Sequence, residues 1–300
     1  MESLKTILYF SLFRYPLTME EVCHFSVSKD CPQIAIELET LVEQKIIFRI
    51  DEFYLSENDP GSIQKRKNGN KMAIDALIKA KQKAAFIAKF PFVEAVGVSG
   101  SLSKGYYDNE SDIDFFVITK PEKIWICRSL LMLYKKIFLL NSRKFFCINY
   151  FLSSGSLEIE EKNRFTATEI KTLIPFQGKD VFKEFYLKNK WVAEVLGEFN
   201  PQFEKIENIQ KPRFTRFSEI ILNNGVGNIL DNMFKSTTVY FWKIKFRKMN
   251  NEEFKIALKS TKNISKHHPL NFQKKVITSL NHKYEEVRLK HNIELTKEYV

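Results

Sequence analysis

The residues best equipped for chemistry fall in one short stretch. Val98 and Ser99 lead into Gly100 and Ser101, Lys104 follows, and Ser111, Asp112 and Asp114 precede the apolar run Phe115, Phe116, Val117 and Ile118. A glycine at a strand end lets backbone N–H groups approach an anion closely, and a serine opening the next helix adds a hydroxyl donor, so Gly100 and Ser101 are placed to cradle phosphate oxygens. Lys104 and Ser111 are further candidates for nucleotide contact. Asp112 and Asp114 stand two apart, and on a strand the period of two turns both carboxylates to one face and Ile113 to the core. Two hard oxygen ligands so placed suit magnesium, or manganese in its place, held against a polyphosphate. A lone Asp-x-Asp is usually a solvated strand end and a lone Gly-Ser a turn. Their joint spacing between apolar runs points to a metal-binding and catalytic role for the two aspartates.

Such side chains need a rigid frame. Extended runs are expected over 93–99, 113–119 and 145–152, with helices over 71–89 and 124–140, which together make a mixed sheet flanked by helices over 61–165. Residues 56–70 are polar, contain Pro60-Gly61 and the basic cluster Lys65-Arg66-Lys67, and read as a linker. The part 166–300 reads as mainly helical, with basic faces over 213–248 and 252–290. Residues 1–60 read as three helices and a two-stranded hairpin. Thr18 caps the second helix, Pro32 opens the third, and a turn at Asp51-Glu52 joins Ile46–Arg49 to Phe53–Leu55. The fold class is therefore α+β, with attached helical parts.

The glycine-serine pair followed by Asp-x-Asp on the next strand resembles the signature of the polymerase-β-like nucleotidyltransferase superfamily, and residues 1–60 resemble a winged-helix domain. The motif covers 97–118 and implies the core fold over 72–155. By that resemblance Asp112 and Asp114 would be the catalytic metal ligands, and Gly100 and Ser101 would bind a nucleoside triphosphate. The implied reaction moves a nucleoside monophosphate to an acceptor hydroxyl (on RNA, a nucleotide, a protein or a small molecule) with release of pyrophosphate. The family pattern adds a third carboxylate on a later strand. In the strand expected there, 145–152, the polar candidate is Asn149. An amide oxygen can ligate magnesium but brings no charge and takes no proton, so the expectation is nucleotide binding with weak catalysis, or a carboxylate supplied from elsewhere. Glu158 and Glu160 follow downstream, where a solvated acidic turn is the plainer reading. The competing function is a catalytically degenerate nucleotide-binding module whose winged helix contacts a partner.

Composition bounds the alternatives. The chain of 300 residues has a formal charge of +11 and is 44% hydrophobic, as a cored globular protein is. Residues 1–60 hold five Lys/Arg against eleven Asp/Glu, a net of −6, whereas 211–300 hold eighteen against eight, a net of +10. With Glu37, Glu39 and Glu43 expected on the exposed face of its third helix, the first segment is a poor ligand for duplex DNA. Cys23, Cys31, Cys127 and Cys147 lie far apart, which suggests reduced thiols rather than a zinc site or a disulfide framework. The apolar run 124–140 is interrupted by Arg128, Lys135 and Lys136 and is shorter than the ~20 residues of a span, so a cytoplasmic protein with no membrane partner is expected. His267-His268-Pro269 reads as a loop or helix end rather than a metal site. Phe241 and Trp242 beside Lys243, Lys245 and Arg247 could stack bases, but a core aromatic stripe with lysines reaching outward explains the same letters.

Overall fold

The computed structural model describes residues 1–28, 30–142 and 144–299. Its N-terminal elements are α1 (Glu2–Ser11), β1 (Leu17–Thr18), α2 (Met19–His24), α3 (Cys31–Glu43), β2 (Phe48–Ile50) and β3 (Phe53–Leu55), the strands forming an antiparallel sheet in the order β1-β3-β2. The expected helices and hairpin are there, and a short strand before α2 joins them. Thr18 and Glu21 form a reciprocal capping box, and Asp30 caps α3 just ahead of Pro32. The exposed face of α3 carries Glu39 and Glu43, but Glu37 is half-buried, and Glu39 is paired with Arg49 at 2.7 Å.

The expected linker is instead helix. α4 runs unbroken from Pro60 to Ile87: Pro60 sits in its first turn, where a missing N–H costs nothing, Gln64, Lys65, Arg66 and Lys67 are good helix formers, and the burial of Arg66 and Gly69 carries the helix across the weaker stretch at 68–70. Arg66, read as part of a basic linker, is buried. Its guanidinium pairs with both oxygens of Glu21 at 2.7 Å and lies over Tyr15 at 4.4 Å. This clamps the N-terminal unit to the helix that supports the next one.

The central unit comprises β4 (Val93–Ser99), α5 (Gly100–Ser103), β5 (Asp114–Thr119), α6 (Ile124–Phe138), β6 (Cys147–Ser153), α7 (Arg164–Thr172), β7 (Ile174–Gln177), α8 (Lys179–Lys188) and α9 (Val192–Leu196). Beyond these come α10 (Arg213–Leu222), α11 (Gly225–Lys245), α12 (Asn251–Ala257), β8 (Ile264–Lys266) and α13 (Phe272–His291). Five strands pair in the order β7-β4-β5-β6-β8. β5 and β6 are parallel, joined through α6, and the other pairs are antiparallel. Two of the five strands thus arise from the part read as mainly helical, where runs of three and four residues are too short to show a period of two.

One face of the sheet is covered by the alanines of α4 (Ala73, Ala76, Ala80, Ala84) and by Trp125 and Leu131 of α6. The small side chains at three- and four-residue steps let α4 come close to the strands. On the other face Phe116 and Ile118 meet Phe182 and Phe185 of α8, and this core runs without a break into Leu4, Ile7 and Leu38 of the N-terminal helices and Tyr284 of α13. Arg164 joins the same parts by charge, pairing with Glu2 at 2.7 Å and Glu298 at 3.0 Å. The N-terminal unit and the last helix are therefore structural supports of the sheet. Among the described residues no helix is long and apolar enough to cross a membrane.

Candidate functional site

The site is built where β4 and β5 end together. Antiparallel pairing puts Ser99 opposite Asp114, and the chain then turns through Gly100 at φ +72°. A Cβ at that position would lie 2.6 Å from Asp114 Oδ2, so glycine is required twice over, by the left-handed backbone and by the carboxylate packed against it. Regular strand pairing begins at Asp114. The alternation still reaches back to Asp112, because Ile113 is buried and its backbone bonds to Lys144 O at 3.0 Å and Cys147 N at 3.1 Å. Asp112 and Asp114 are both partly buried.

The loop carrying these residues is pinned from α4 and from the N-terminal unit. Asn70 donates to Gly105 O at 2.5 Å, and Tyr15 donates to Lys104 O at 3.2 Å. The bare Cα of Gly69 admits the Tyr106 ring, which a Cβ would meet at 2.2 Å. Ser111 closes the next turn, donating to Asp108 Oδ1 at 2.7 Å while the Asp108 N–H donates back at 3.1 Å. Its hydroxyl is engaged within that turn. Ser101 opens α5 and is partly exposed.

Lys104 and Gly100 share one partner that the sequence did not reveal. The Lys104 ammonium donates to Glu169 Oε1 at 2.6 Å and to Gly100 O at 3.0 Å, and the Gly100 N–H donates to Glu169 Oε2 at 3.2 Å. Both groups expected to meet phosphate therefore hold one carboxylate, delivered by α7 from 69 residues downstream of Gly100. Nothing local marks Glu169: a single glutamate in a helix is ordinarily solvated.

The neighbouring strand presents sulfur to the aspartates. Cys147 is the partner of Asp114 across the parallel pair, and a register shift then follows, Phe115 pairing with Ile148 and Phe116 with Tyr150, so that Asn149 is passed over. The Asn149 side-chain amide donates to Cys147 Sγ at 2.9 Å, and its backbone carbonyl accepts from the His267 backbone N–H at 2.8 Å. Glu158 and Glu160 leave the sheet after Ser153, which pairs with Thr119 at the far end of β5 from Asp114. They pair with Lys162 at 2.8 Å and Lys259 at 2.7 Å. Of these three glutamates, Glu169 is the one bonded to Gly100.

The electrostatics follow from this crowding. Burial pushes the Asp114 carboxyl up to about 6; the Cys147 thiol hydrogen bond and Lys104 oppose the rise, while Glu169 and Asp112 add to it. Burial, with Asp114 beside it, pushes the Cys147 thiol up to about 12, so it stays protonated. Behind the site, burial lowers His268 to about 4, with Lys266 and Arg128 acting in the same direction and Glu169 against it. His267 and His268 lie in the loop after β8, as expected. Of the two aromatics, Trp242 is buried against Trp125 at 6.2 Å, whereas Phe241 faces solvent, so the expected core stripe holds for Trp242 and not for its neighbour.

A divalent cation fits the donor set. Burial, with Glu169 and Asp112 adding to it, makes the Asp114 carboxylate short of positive charge, and two neighbouring aspartates suit a hard ion that keeps waters and takes phosphate oxygens. Among the described residues no group of three or more His, Cys, Asp or Glu side chains is arranged to hold a metal ion, so the protein's share of the ligands would be the aspartate pair.

The nucleotidyltransferase domain family model matches residues 79–223, a span that holds the glycine turn, both aspartates, Glu169 and four of the five central strands. Searches of curated proteins and of solved structures find no match. Residues 79–223 accordingly belong to the nucleotidyltransferase domain family, within the polymerase-β-like superfamily.

Proposed function

We propose that this domain transfers a nucleoside monophosphate from a nucleoside triphosphate to an acceptor hydroxyl, with Asp112 and Asp114 as the ligands of magnesium. The observation that carries the reading is the convergence of the Gly100 N–H and the Lys104 ammonium on one anionic group beside the two aspartates. Donors that hold a carboxylate at 2.6 and 3.2 Å suit a phosphate oxygen equally well, since both are anionic acceptors. Magnesium would neutralise the triphosphate and polarise the reacting phosphorus.

The chain's own residues supply the rest. Phosphate displaces Glu169 from its two donors and frees a carboxylate next to Asp114, which serves as the third acidic group of the site in place of Asn149. The acceptor oxygen bonds to the α-phosphorus, the bond to pyrophosphate breaks, and the acceptor proton passes to Glu169 as general base. Cys147 holds Asp114 in position through its thiol. Ser101 offers a hydroxyl donor to the polyphosphate.

The test is label transfer from each α-labelled triphosphate with magnesium, using total RNA and small-molecule extract as acceptor sources, for the wild type, Asp112→Ala/Asp114→Ala and Glu169→Gln. Transfer by the wild type alone supports the assignment. Magnesium-dependent binding that survives the double substitution would overturn the ligand assignment. Binding without transfer to any acceptor would turn the reading to a nucleotide-binding module.

A further inference from the structure

The side of the molecule formed by α6, α10 and α11 has an outward face unlike that of a freely soluble domain. α11 is anchored by its inward residues. Asp231 Oδ1 accepts the Trp125 and Ile126 N–H groups at 2.8 and 2.9 Å, and Trp242 packs on Trp125. On the opposite side Val226, Ile229, Met233, Tyr240 and Ile244 recur at helical steps and are exposed. α10 is held in the same manner, by Thr215 on Lys89 O at 3.0 Å and Glu219 on Phe92 N at 2.6 Å, which leaves Phe214, Phe217 and Ile221 outside, Phe214 being 79% exposed. α6, against which α11 packs, exposes Leu133, Ile137 and Phe138. Single exposed apolar side chains are ordinary, but these eleven are carried by three helices that pack on one another.

The charge around this apolar face is predominantly positive, with Glu122 beside Asn228 as an exposed acid at the N-terminal end of α11. No Asp or Glu occurs between Glu122 and Glu158, and the two acids within 211–249, Glu219 and Asp231, are both turned inward on backbone N–H groups. Arg213, Arg216, Lys243, Lys245, Arg247 and Lys248 are exposed. A second copy docked symmetrically would set cation against cation. A nucleic acid would answer the charges and the aromatic rings but would leave the isoleucines, valine and methionine against polar groups. A surface with anionic headgroups over an acyl layer answers both features.

We infer that the α6–α10–α11 face lies in the interface of an anionic lipid bilayer, with its apolar residues at the acyl boundary and its lysines and arginines among the phosphates. The sequence expectation of no membrane partner rested on the lack of a spanning helix, and a helix lying in the plane needs no such length.

The test is flotation of the full chain with vesicles of phosphatidylcholine alone and of phosphatidylcholine mixed with phosphatidylglycerol, at low and physiological salt. The expected result is salt-sensitive flotation with the mixed vesicles and little with phosphatidylcholine. Ile229→Ser/Phe241→Ser and Lys243→Gln/Lys245→Gln should each lower partitioning by roughly tenfold while leaving the melting temperature unchanged. The two pairs probe insertion and charge separately, so one misfolded variant does not remove the test. Absence of wild-type flotation with mixed vesicles would overturn the inference, as would partitioning indifferent to both pairs of substitutions. A dimer in light scattering that Ile229→Ser/Phe241→Ser abolishes would assign the face to a second copy, and binding to single-stranded RNA without binding to vesicles would assign it to nucleic acid.

Discussion

The strand-end site and the α6–α10–α11 face treat charge in opposite ways. At the site three ionic groups meet other parts of the chain: Lys104 meets Glu169, Glu169 meets the Gly100 N–H, and Asp114 meets the Cys147 thiol. On the outer face the cations stand exposed among exposed apolar side chains, and the acids point inward. Buried charge is costly unless it is answered within the fold, whereas exposed charge carries little energy until a partner removes its water. The site is therefore preorganised and sensitive to substitution, and the outer face should be nearly silent until something docks on it.

The largest effects should come from breaking the site. Asp114→Ala is expected to abolish magnesium-dependent triphosphate binding, read by calorimetry with and without the cation, because it removes one of two ligands. Glu169→Gln should lower transfer by roughly a hundredfold with little change in KM, the size of a lost general base. If Glu169 instead only competes with phosphate, the same substitution will tighten triphosphate binding and spare transfer. Asn149→Asp is the matching control. Its side-chain amide is tied to Cys147, and Cys147 rather than Asn149 stands opposite Asp114, so transfer should change by no more than about twofold. A large gain in Asn149→Asp would return the third acidic group to that strand.

Gly100→Ala should weaken triphosphate binding by roughly tenfold or more, since an alanine there is strained at φ +72° and drives its methyl into the Asp114 carboxylate. A smaller effect is expected at His268. Its folded value of about 4 lies below the ordinary 6.5, so folding favours the neutral ring, and the stability this contributes is present above pH 6.5 and lost as pH falls toward 4. Relative to His268→Asn, the wild type should lose about 2 kcal/mol between pH 7 and pH 5, read from urea unfolding at each pH. Smallest of all, Lys243→Gln on the outer face should alter stability by less than about 0.5 kcal/mol. A large loss there would mean that the exposed cations are structural, and the contrast between the two regions would fail.

How much of this was legible follows the distance along the chain. Val93–Ser99 was readable as a strand because it is long and bounded by a glycine, and the Thr18 cap because its partner is three residues away. β7 and β8 were not, because three or four residues flanked by helices have no periodicity of their own and become strands only by pairing with β4 and β6. The linker reading failed because polar composition describes a solvated helix face as well as a loop, and α4 gains its order from packing on the sheet.

The sequence by itself determined the glycine turn and the aspartate pair, since Gly100 and Asp114 are brought together by adjacent antiparallel strands and a short connection. Only the tertiary structure decided what completes them. Glu169 reaches Gly100 because α7 packs back across the sheet from a distant part of the chain, and the pairing of β5 with β6 sets Cys147 rather than Asn149 opposite Asp114, a register shift further along leaving Asn149 without a partner on β5. Local pattern fixes which face a side chain takes on its own element; which other element meets that face depends on how helices and strands bury their apolar surfaces together.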